Sequence, residues 1–364
     1  MKKWKKVLLA ALALVSLGAG CLVNKEVAAV EKYTFPAEDE KHEGTWLTWP
    51  HAKTYGKAYQ KPIEPIWVQM AKSLHTGEKV HIMVYDEQEE ARVQALLEKE
   101  GLDMSQVDFL VVPSDDVWSR DTGPMFVRDE AGELRIVDFG FNGWGDRMES
   151  ANDDVIPQRV AEAKGYSRLD VADFVLEGGS VELDGHGTAL LTRSAVLNEN
   201  RNPGMSQEEA EAYMTQYLGA ANFIWLDGVS GEDITDAHID AIARFVDDKR
   251  MVAVSKADFF DLYEGIKRKD LEILYAAQNE KGEAYAITEL PLTKKNVKGL
   301  DYKGSYVNFY VGNEVVLVPI YSDANDQEAM DKIQKLYPDR EVVGIDVSKL
   351  YKNVSIKDDY VPKK

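Results

Sequence analysis

The chain has 364 residues, 45% of them hydrophobic and 29% charged, which is the composition of an ordinary globular protein and excludes a disordered or collagen-like one. Its formal net charge is −20, so duplex nucleic acid and an anionic lipid surface, which both reward basic patches, are poor partners, whereas a small cation is a natural guest. There is one cysteine, so no internal disulfide can form.

The N-terminus reads as an export signal. Lys2, Lys3, Lys5 and Lys6 form a basic start, Val7 to Leu17 is apolar, and Gly18-Ala19-Gly20 is a small-residue cleavage site. Cys21 follows at once, where a bacterial lipoprotein carries its lipid thioether. Residues 1–20 are therefore expected to be a signal peptide, and 21–34 a tether beyond a lipidated Cys21. Plain secretion and an uncleaved anchor are the alternatives. Removing residues 1–20 takes away four lysines and no acid, and moves the net charge from −20 to −24. The expected location is outside the cytoplasm, with the membrane touched only through the N-terminal lipid.

From Glu43 onward one pattern recurs. Short strands are expected at Thr45–Trp49, Lys79–Tyr85 and Val107–Val112, with Ile66, Trp67, Met70, Ala71 and Leu74 at helical spacing and a second helix at Glu87–Lys99. A second unit has strands at Met125–Val127, Leu134–Phe139 and Phe174–Leu176, with a helix near Val155–Ala163. The third has strands near Ser180–Leu183, Thr188–Thr192 and Phe223–Leu226, with a helix near Gln207–Tyr217. The fourth has strands at Ala241–Val246, Met251–Val254 and Ala284–Ile287, with a helix at Lys269–Gln278. The fifth has strands at Ser305–Val311, Val315–Pro319 and Val342–Ile345, with a helix at Asp326–Tyr337. About five repeats of about 50 residues, each too small to bury both faces of its sheet, predict a closed circular array and a single domain over 35–350, followed by a tail, 351–364.

The polar motifs fall between the units. Asp115 to Pro124 follows the first, Glu177-Gly178-Gly179-Ser180 the second, and Asp236-Ala237-His238-Ile239-Asp240 the third. In a circular array such junctions converge near the axis. Two carboxylates can clamp a planar guanidinium with parallel charge-assisted hydrogen bonds, and Asp121 and Asp240 are the candidates. His238 can carry protons near neutral pH, and Glu177 can orient or charge its ring. Trp118 can wall the pocket and stack on a guanidinium plane. The other histidines show no ligand spacing, so no metal site is expected.

Several segments resemble the agmatine deiminase family, the group shared with bacterial-type peptidylarginine deiminase. They are Phe35-Pro36-Ala37-Glu38, His42-Glu43-Gly44-Thr45-Trp46, Trp118 to Pro124, Phe141-Asn142-Gly143-Trp144-Gly145, Leu176 to Gly179, Leu197 to Pro203, Thr235 to Asp240, Ser305 to Tyr310 and Asp323 to Asp326. The resemblance runs from about Phe35 to about Leu350. It implies an α+β fold of the pentein type, an α/β-propeller of five ββαβ-type units around a pseudo-fivefold axis. It also implies hydrolysis of agmatine to N-carbamoylputrescine and ammonia without a cofactor, a step of putrescine and polyamine metabolism. By resemblance, Asp121 and Asp240 hold the guanidinium, His238 is general acid and then base, Glu177 supports it, and Trp118 lines the pocket.

The family's nucleophile is a cysteine after the fifth unit, in a Gly-rich loop followed by Asn-Ile-His-Cys. Here the stretch reads Leu350-Tyr351-Lys352-Asn353-Val354-Ser355-Ile356. Aligning Asn353 puts Ile356 in the cysteine slot and Ser355 in the histidine slot. Isoleucine cannot attack, and a serine hydroxyl is far less ionised than a thiol near pH 7. Ala237 stands where the family has glycine and is expected to crowd its loop. Three readings follow: an agmatine-deiminase-like hydrolase, a tethered protein that binds agmatine or an arginine-like guanidino ligand without turnover (a pseudoenzyme), and a structural or partner-binding relic. A late frameshift would give the same tail. The loop Lys294–Lys303, with Lys294, Lys295, Lys298 and Lys303, is expected near the distal end of the ligand, or simply solvated.

Overall fold

The computed structural model describes residues 31–298 and 302–350. Cys21, the expected signal segment, Ser355 and Ile356 lie outside them.

The first unit comprises β1 (Gly44–Thr48), helix α1 (Lys57–Leu74), β2 (Lys79–Val84), α2 (Glu87–Lys99) and β3 (Val107–Val111), with all three strands parallel in the order β1-β2-β3. Parallel neighbours require crossovers, and the two helices supply them. Helix α1 begins well before the apolar run at Ile66 and passes through Pro62 and Pro65; Ile63, Ile66, Trp67, Ala71 and Leu74 form its buried stripe. Asp86 caps α2 by accepting from the Glu89 N–H, with acids in the first turn suited to the helix dipole.

The other four units share a ββαβ plan in which the first pair is antiparallel and the second parallel. They are β4 (Met125–Arg128), β5 (Leu134–Gly140), α3 (Ile156–Lys164) and β6 (Ser167–Val175); then β7 (Val181–Leu183), β8 (Thr188–Thr192), α4 (Gln207–Leu218) and β9 (Asn222–Leu226). The fourth is β10 (Ala243–Phe245), β11 (Arg250–Val254), α5 (Arg268–Tyr275) and β12 (Ala286–Leu290). A hairpin of β13 (Leu292–Asn296) and β14 (Lys303–Ser305) leads to the fifth: β15 (Tyr310–Val311), β16 (Val315–Ile320), α6 (Asp326–Leu336) and β17 (Glu341–Asp346). Helix α4 carries the full reciprocal cap between Ser206 and Glu209 and ends at left-handed Gly219.

Three-stranded sheets this small are marginal alone, and their neighbours complete them. Met83 and Val112 of the first unit pack with Ile136, Ile156 and Val160 of the second. Phe139 and Phe174 of the second share a cluster with Leu191, Met214 and Trp225 of the third. One large cluster joins the third, fourth and fifth units, and Val315, Leu317 and Ile345 of the fifth pack on Trp67, Leu74 and Ile82 of the first. The contacts therefore close into a ring of five units, the α+β pentein-type arrangement. Among the described residues no helix is long and apolar enough to cross a membrane.

Four expectations need correction. The first unit is βαβαβ, the order its own strands and helices predicted, and departs from the ββαβ type that the resemblance implied. Strand β6 starts at Ser167, seven residues before the expected Phe174, because only Val171 and Phe174 of its nine residues are buried and the rest give no clear apolar signal. The single strand expected at Ser305–Val311 is split: Tyr306, Val307 and Phe309 are apolar because they fill the core between β14 and β15. Lys294–Lys303 contributes to a hairpin, with Lys294 and Lys295 exposed and Lys303 Nζ 2.6 Å from Asp261 Oδ2. In addition, Tyr33 is buried and Thr34 bridges to Arg128, so the last residues of the expected tether pack on the second unit.

Candidate active site

Three equivalent junctions carry the site. Asp121 lies on the helical turn Ser119–Thr122 that leads into β4. Glu177 ends the run of β6 and precedes the turn Gly178–Ser180 that leads into β7. His238 precedes the turn Ile239–Ala241, which holds Asp240 and leads into β10. The Asp121 turn is pinned to β1 by the Ser119 hydroxyl, which accepts from the Thr48 N–H at 2.7 Å.

The geometry meets at Gly179. A Cβ built there would stand 2.6 Å from His238 Nδ1, 2.7 Å from Asp121 Oδ1 and 2.7 Å from Asp240 Oδ2. No side chain fits, so glycine is required by close approach. The same measurement shows His238, Asp121 and Asp240 converging on one point. Glu177 completes the group, with Oε2 2.9 Å from His238 Nε2. His238 Nδ1 and Asp121 Oδ1 are 3.8 Å apart.

Each carboxylate is held differently. Asp121 Oδ1 accepts from Gly179 N at 2.8 Å and Oδ2 from the Trp144 indole at 3.0 Å. Glu177, 1% exposed, accepts from Arg201 Nε at 2.7 and 3.0 Å through its two oxygens. Asp240 is 7% exposed, and no described residue donates a hydrogen bond to its carboxylate. A buried carboxylate without a donor is costly. Burial accordingly pushes the Asp240 carboxyl up to about 6, with His238 and Arg120 pulling down and Asp121 and Glu182 pushing up. Burial by itself would lower His238, but Asp121, Glu177 and Asp240 outweigh it and raise the imidazole to about 9.

Behind these groups run two ionic networks, the first largely buried and the second partly open at Arg120 and Glu38, that sequence reasoning did not assign. In the first, Arg201 links Glu177 to Asp236, its Nη1 lying 2.6 Å from Asp236 Oδ2. Arg147 grips the same Asp236 with two bonds of 2.7 and 2.9 Å. In the second, Arg244 binds Glu182 at 2.9 Å and also Glu38, while Arg120 reaches Glu182 at 2.6 Å. Arg201, Asp236 and Trp144 all lie inside motifs noted above, so their segments were visible though their tasks were not.

Asp236 and Ala237 both have left-handed φ, +61° and +63°. A glycine before the histidine would take this conformation freely, whereas Ala237 takes it at roughly 1–2 kcal/mol. The cost here is backbone strain, offset by the ties on Asp236 and by the Thr192 hydroxyl, which donates to the Ala237 carbonyl at 2.8 Å. Trp118 heads the Asp121 turn, its carbonyl accepting from the Asp121 N–H at 2.9 Å, and its ring packs half-buried on the apolar cluster of the first and fifth units. Among the described residues no group of three or more potential metal ligands is assembled.

Comparison with known proteins agrees with this architecture. The profile of the Porphyromonas-type peptidyl-arginine deiminase family matches residues 34–355. An agmatine deiminase of Pseudomonas aeruginosa (strain LESB58) is 32% identical over 336 residues, covering 85% of this chain and 89% of its own. The solved agmatine deiminase of Enterococcus faecalis superposes with a TM-score of 0.77 at 29% identity, covering 88% of this chain and 92% of that one. A C. jejuni agmatine deiminase with one cysteine replaced by serine, solved with substrate bound, superposes with a TM-score of 0.74 at 26% identity, over 89% and 93% of the two chains. With all five units inside the matched span, the chain belongs to the Porphyromonas-type peptidyl-arginine deiminase family, alongside the agmatine deiminases.

Proposed function

We propose that this protein binds a small guanidinium compound of the agmatine type between Asp121 and Asp240 and holds it without turnover, outside the cytoplasm and tethered through lipid on Cys21. The observation that carries the reading is Asp240: a buried carboxylate with no donor among the described residues, facing the same point as Asp121 and His238. A guanidinium supplies five N–H donors in a planar fork and a positive charge, which is what two such carboxylates lack.

Loss of turnover follows from Ile356 in the slot where the family carries its nucleophile. Covalent attack on the guanidinium carbon needs a thiolate, and neither Ile356 nor Ser355 supplies one. Binding is a separate step from attack, and a C. jejuni agmatine deiminase with one cysteine replaced by serine was solved with substrate bound. The lysine-rich start, the apolar run and the Gly-Ala-Gly before Cys21 support export and lipidation. A guanidinium-binding protein outside the cytoplasm suits uptake or sensing.

One observation favours a second reading, the family reaction that converts agmatine and water to N-carbamoylputrescine and ammonia. The His238–Glu177 pair is intact at 2.9 Å, the arrangement that acid–base work at a guanidinium carbon requires. Calorimetric titration with agmatine, run beside an ammonia-release assay, separates the two. Heat without ammonia is the expected result. Ammonia released by the native chain at a rate that falls in His238→Ala returns the hydrolase; neither heat nor ammonia leaves only a structural relic.

A further inference from the structure

Residues 143–146 trace one turn of left-handed helix, with φ of +66° at Gly143, +55° at Trp144, +80° at Gly145 and +61° at Asp146. Two of the four carry side chains. Bulky residues enter this region rarely and at a cost, and persist there only where their surroundings over-determine them.

The surroundings here do so. Asn142 accepts from Gly145 N at 2.9 Å through its side chain and donates to the Asn200 carbonyl at 2.8 Å. Phe141 meets the Trp144 ring edge-to-face at 5.0 Å. The turn is thereby wedged between its own unit and the third.

What the strain achieves is a reach in two directions. Trp144, 3% exposed, places its indole N–H 3.0 Å from Asp121 Oδ2. Arg147, one residue past the turn, grips Asp236 two residues before His238. A single loop thus touches the junction that holds Asp121 and the one that holds His238 and Asp240.

The choice of donors is informative. Glu177, the supporting carboxylate, is held by a cation, Arg201, which cancels its charge. Asp121 is hydrogen-bonded by two neutral donors, the Gly179 amide and the Trp144 indole, while its cationic neighbour His238 stands 3.8 Å off, beyond hydrogen-bond reach. Neutral donors fix the plane of a carboxylate and leave its charge for a cationic ligand, whereas a lysine or arginine in the same place would compete with that ligand. Each Asp121 oxygen also keeps a second lone pair for an incoming N–H.

We propose that the left-handed turn Gly143–Asp146 is a clasp that sets the plane of the Asp121 carboxylate for a guanidinium, with Trp144 as its positioning residue. The proposal rests on the guanidinium reading of the site.

The test is a double-mutant cycle on the full chain, read as agmatine affinity by calorimetry. Trp144→Phe keeps an aromatic ring against Phe141 but removes the N–H donor together with the five-membered ring, so stability is measured beside affinity. It is expected to weaken binding about tenfold. In an Asp121→Asn background the same change is expected to cost nothing further, because the carboxylate it orients is gone. A merely structural role would lower stability and act alike in both backgrounds. If Asp121→Asn weakens binding but Trp144→Phe leaves it unchanged, or weakens it equally in both backgrounds, the clasp is overturned and the guanidinium site stands. If Asp121→Asn leaves agmatine binding unchanged, or the native chain binds none, the guanidinium reading itself fails. Should Trp144→Phe not fold, Asn142→Ala replaces it: this loosens the turn from outside the site, and its effect on affinity must likewise vanish with Asp121→Asn.

Discussion

The imidazole of His238 and the carboxylate of Glu177 meet at 2.9 Å across 61 residues of sequence, both buried, with Arg201 on the far side of the carboxylate at 2.7 Å. The order of charges continues through Asp236 to Arg147. Such a chain is stable only when complete. Removing Arg201 leaves Glu177 with His238 alone and Asp236 with Arg147 alone, a partial loss of pairing that costs up to about 3–5 kcal/mol. Arg201→Leu is therefore expected to lower the unfolding free energy by up to that amount, read from urea denaturation. Arg201→Lys keeps the charge but cannot span Glu177 and Asp236 with a planar fork, and is expected to fall between. A midpoint for Arg201→Leu equal to that of the native chain would remove the network from the account of stability.

His238 links that network to pH. Its folded value of about 9 lies above the ordinary 6.5, so the folded chain holds this proton more tightly than the unfolded one. The stabilisation is present in full below about pH 6.5 and is lost as pH rises through about 9, a change of about 3 kcal/mol. Asp153, raised to about 8 by burial, adds a decline of the same sign. Denaturation at pH 6, 7.5 and 9 should therefore show falling stability, and His238→Gln should make the fall shallower. Equal slopes in the two proteins would contradict the raised imidazole.

Ligand affinity should move the opposite way. Burial pushes the Asp240 carboxyl up to about 6, so protonating it removes one arm of the proposed clamp. Agmatine binding is expected to weaken as pH falls through 6, by up to about tenfold per unit, while the guanidinium itself stays charged. Asp240→Asn should bind weakly at every pH and lose this dependence. A native profile that is flat between pH 5 and 7 would place Asp240 outside the ligand's contacts.

Much of this was legible in the sequence, for physical reasons. Strands buried on both faces, such as Thr188–Thr192, announce themselves by unbroken apolar runs, and capped helices such as Gln207–Leu218 by their Ser-x-x-Glu start. The junction motifs gave Asp121, Glu177, His238 and Asp240 because a repeat places equivalent junctions together. Strand β6 was cut short because it is half solvated, and Tyr306 to Phe309 looked like strand because core-filling residues and strand residues share a composition. Arg201 and Arg244 were invisible as site-builders. A buried arginine is defined by partners such as Glu177 and Glu182, 24 and 62 residues away, and nothing local distinguishes it from a solvated one.

The anchor is tested separately from the ligand. Cells expressing the full chain and fed radiolabelled palmitate should yield a labelled protein, and Cys21→Ala should abolish the label. Cys21 is the chain's only thiol, so no second cysteine can substitute for it. Unlabelled native protein in the medium would point to plain secretion.

The constructive test concerns the tail. Copying the whole family loop would replace Leu350 by glycine, yet Leu350 is 5% exposed and belongs to the cluster that joins the first and fifth units. Its loss would create a cavity costing about 2–5 kcal/mol and confuse catalysis with stability. The cleaner graft changes Ser355→His and Ile356→Cys together and keeps Leu350, Asn353 and Val354. If the clamp and the His238–Glu177 pair are in working order, a thiol at position 356 is the missing reactant, and ammonia release from agmatine should rise from background. The gain should disappear in Glu177→Gln, which keeps the shape of the side chain but withdraws the charge that supports His238. A graft that folds and binds agmatine but releases no ammonia would show that the tail needs the glycines to bring its thiol to the site. A graft that folds and binds nothing would mean that Asp121 and Asp240 do not form a guanidinium clamp in this chain.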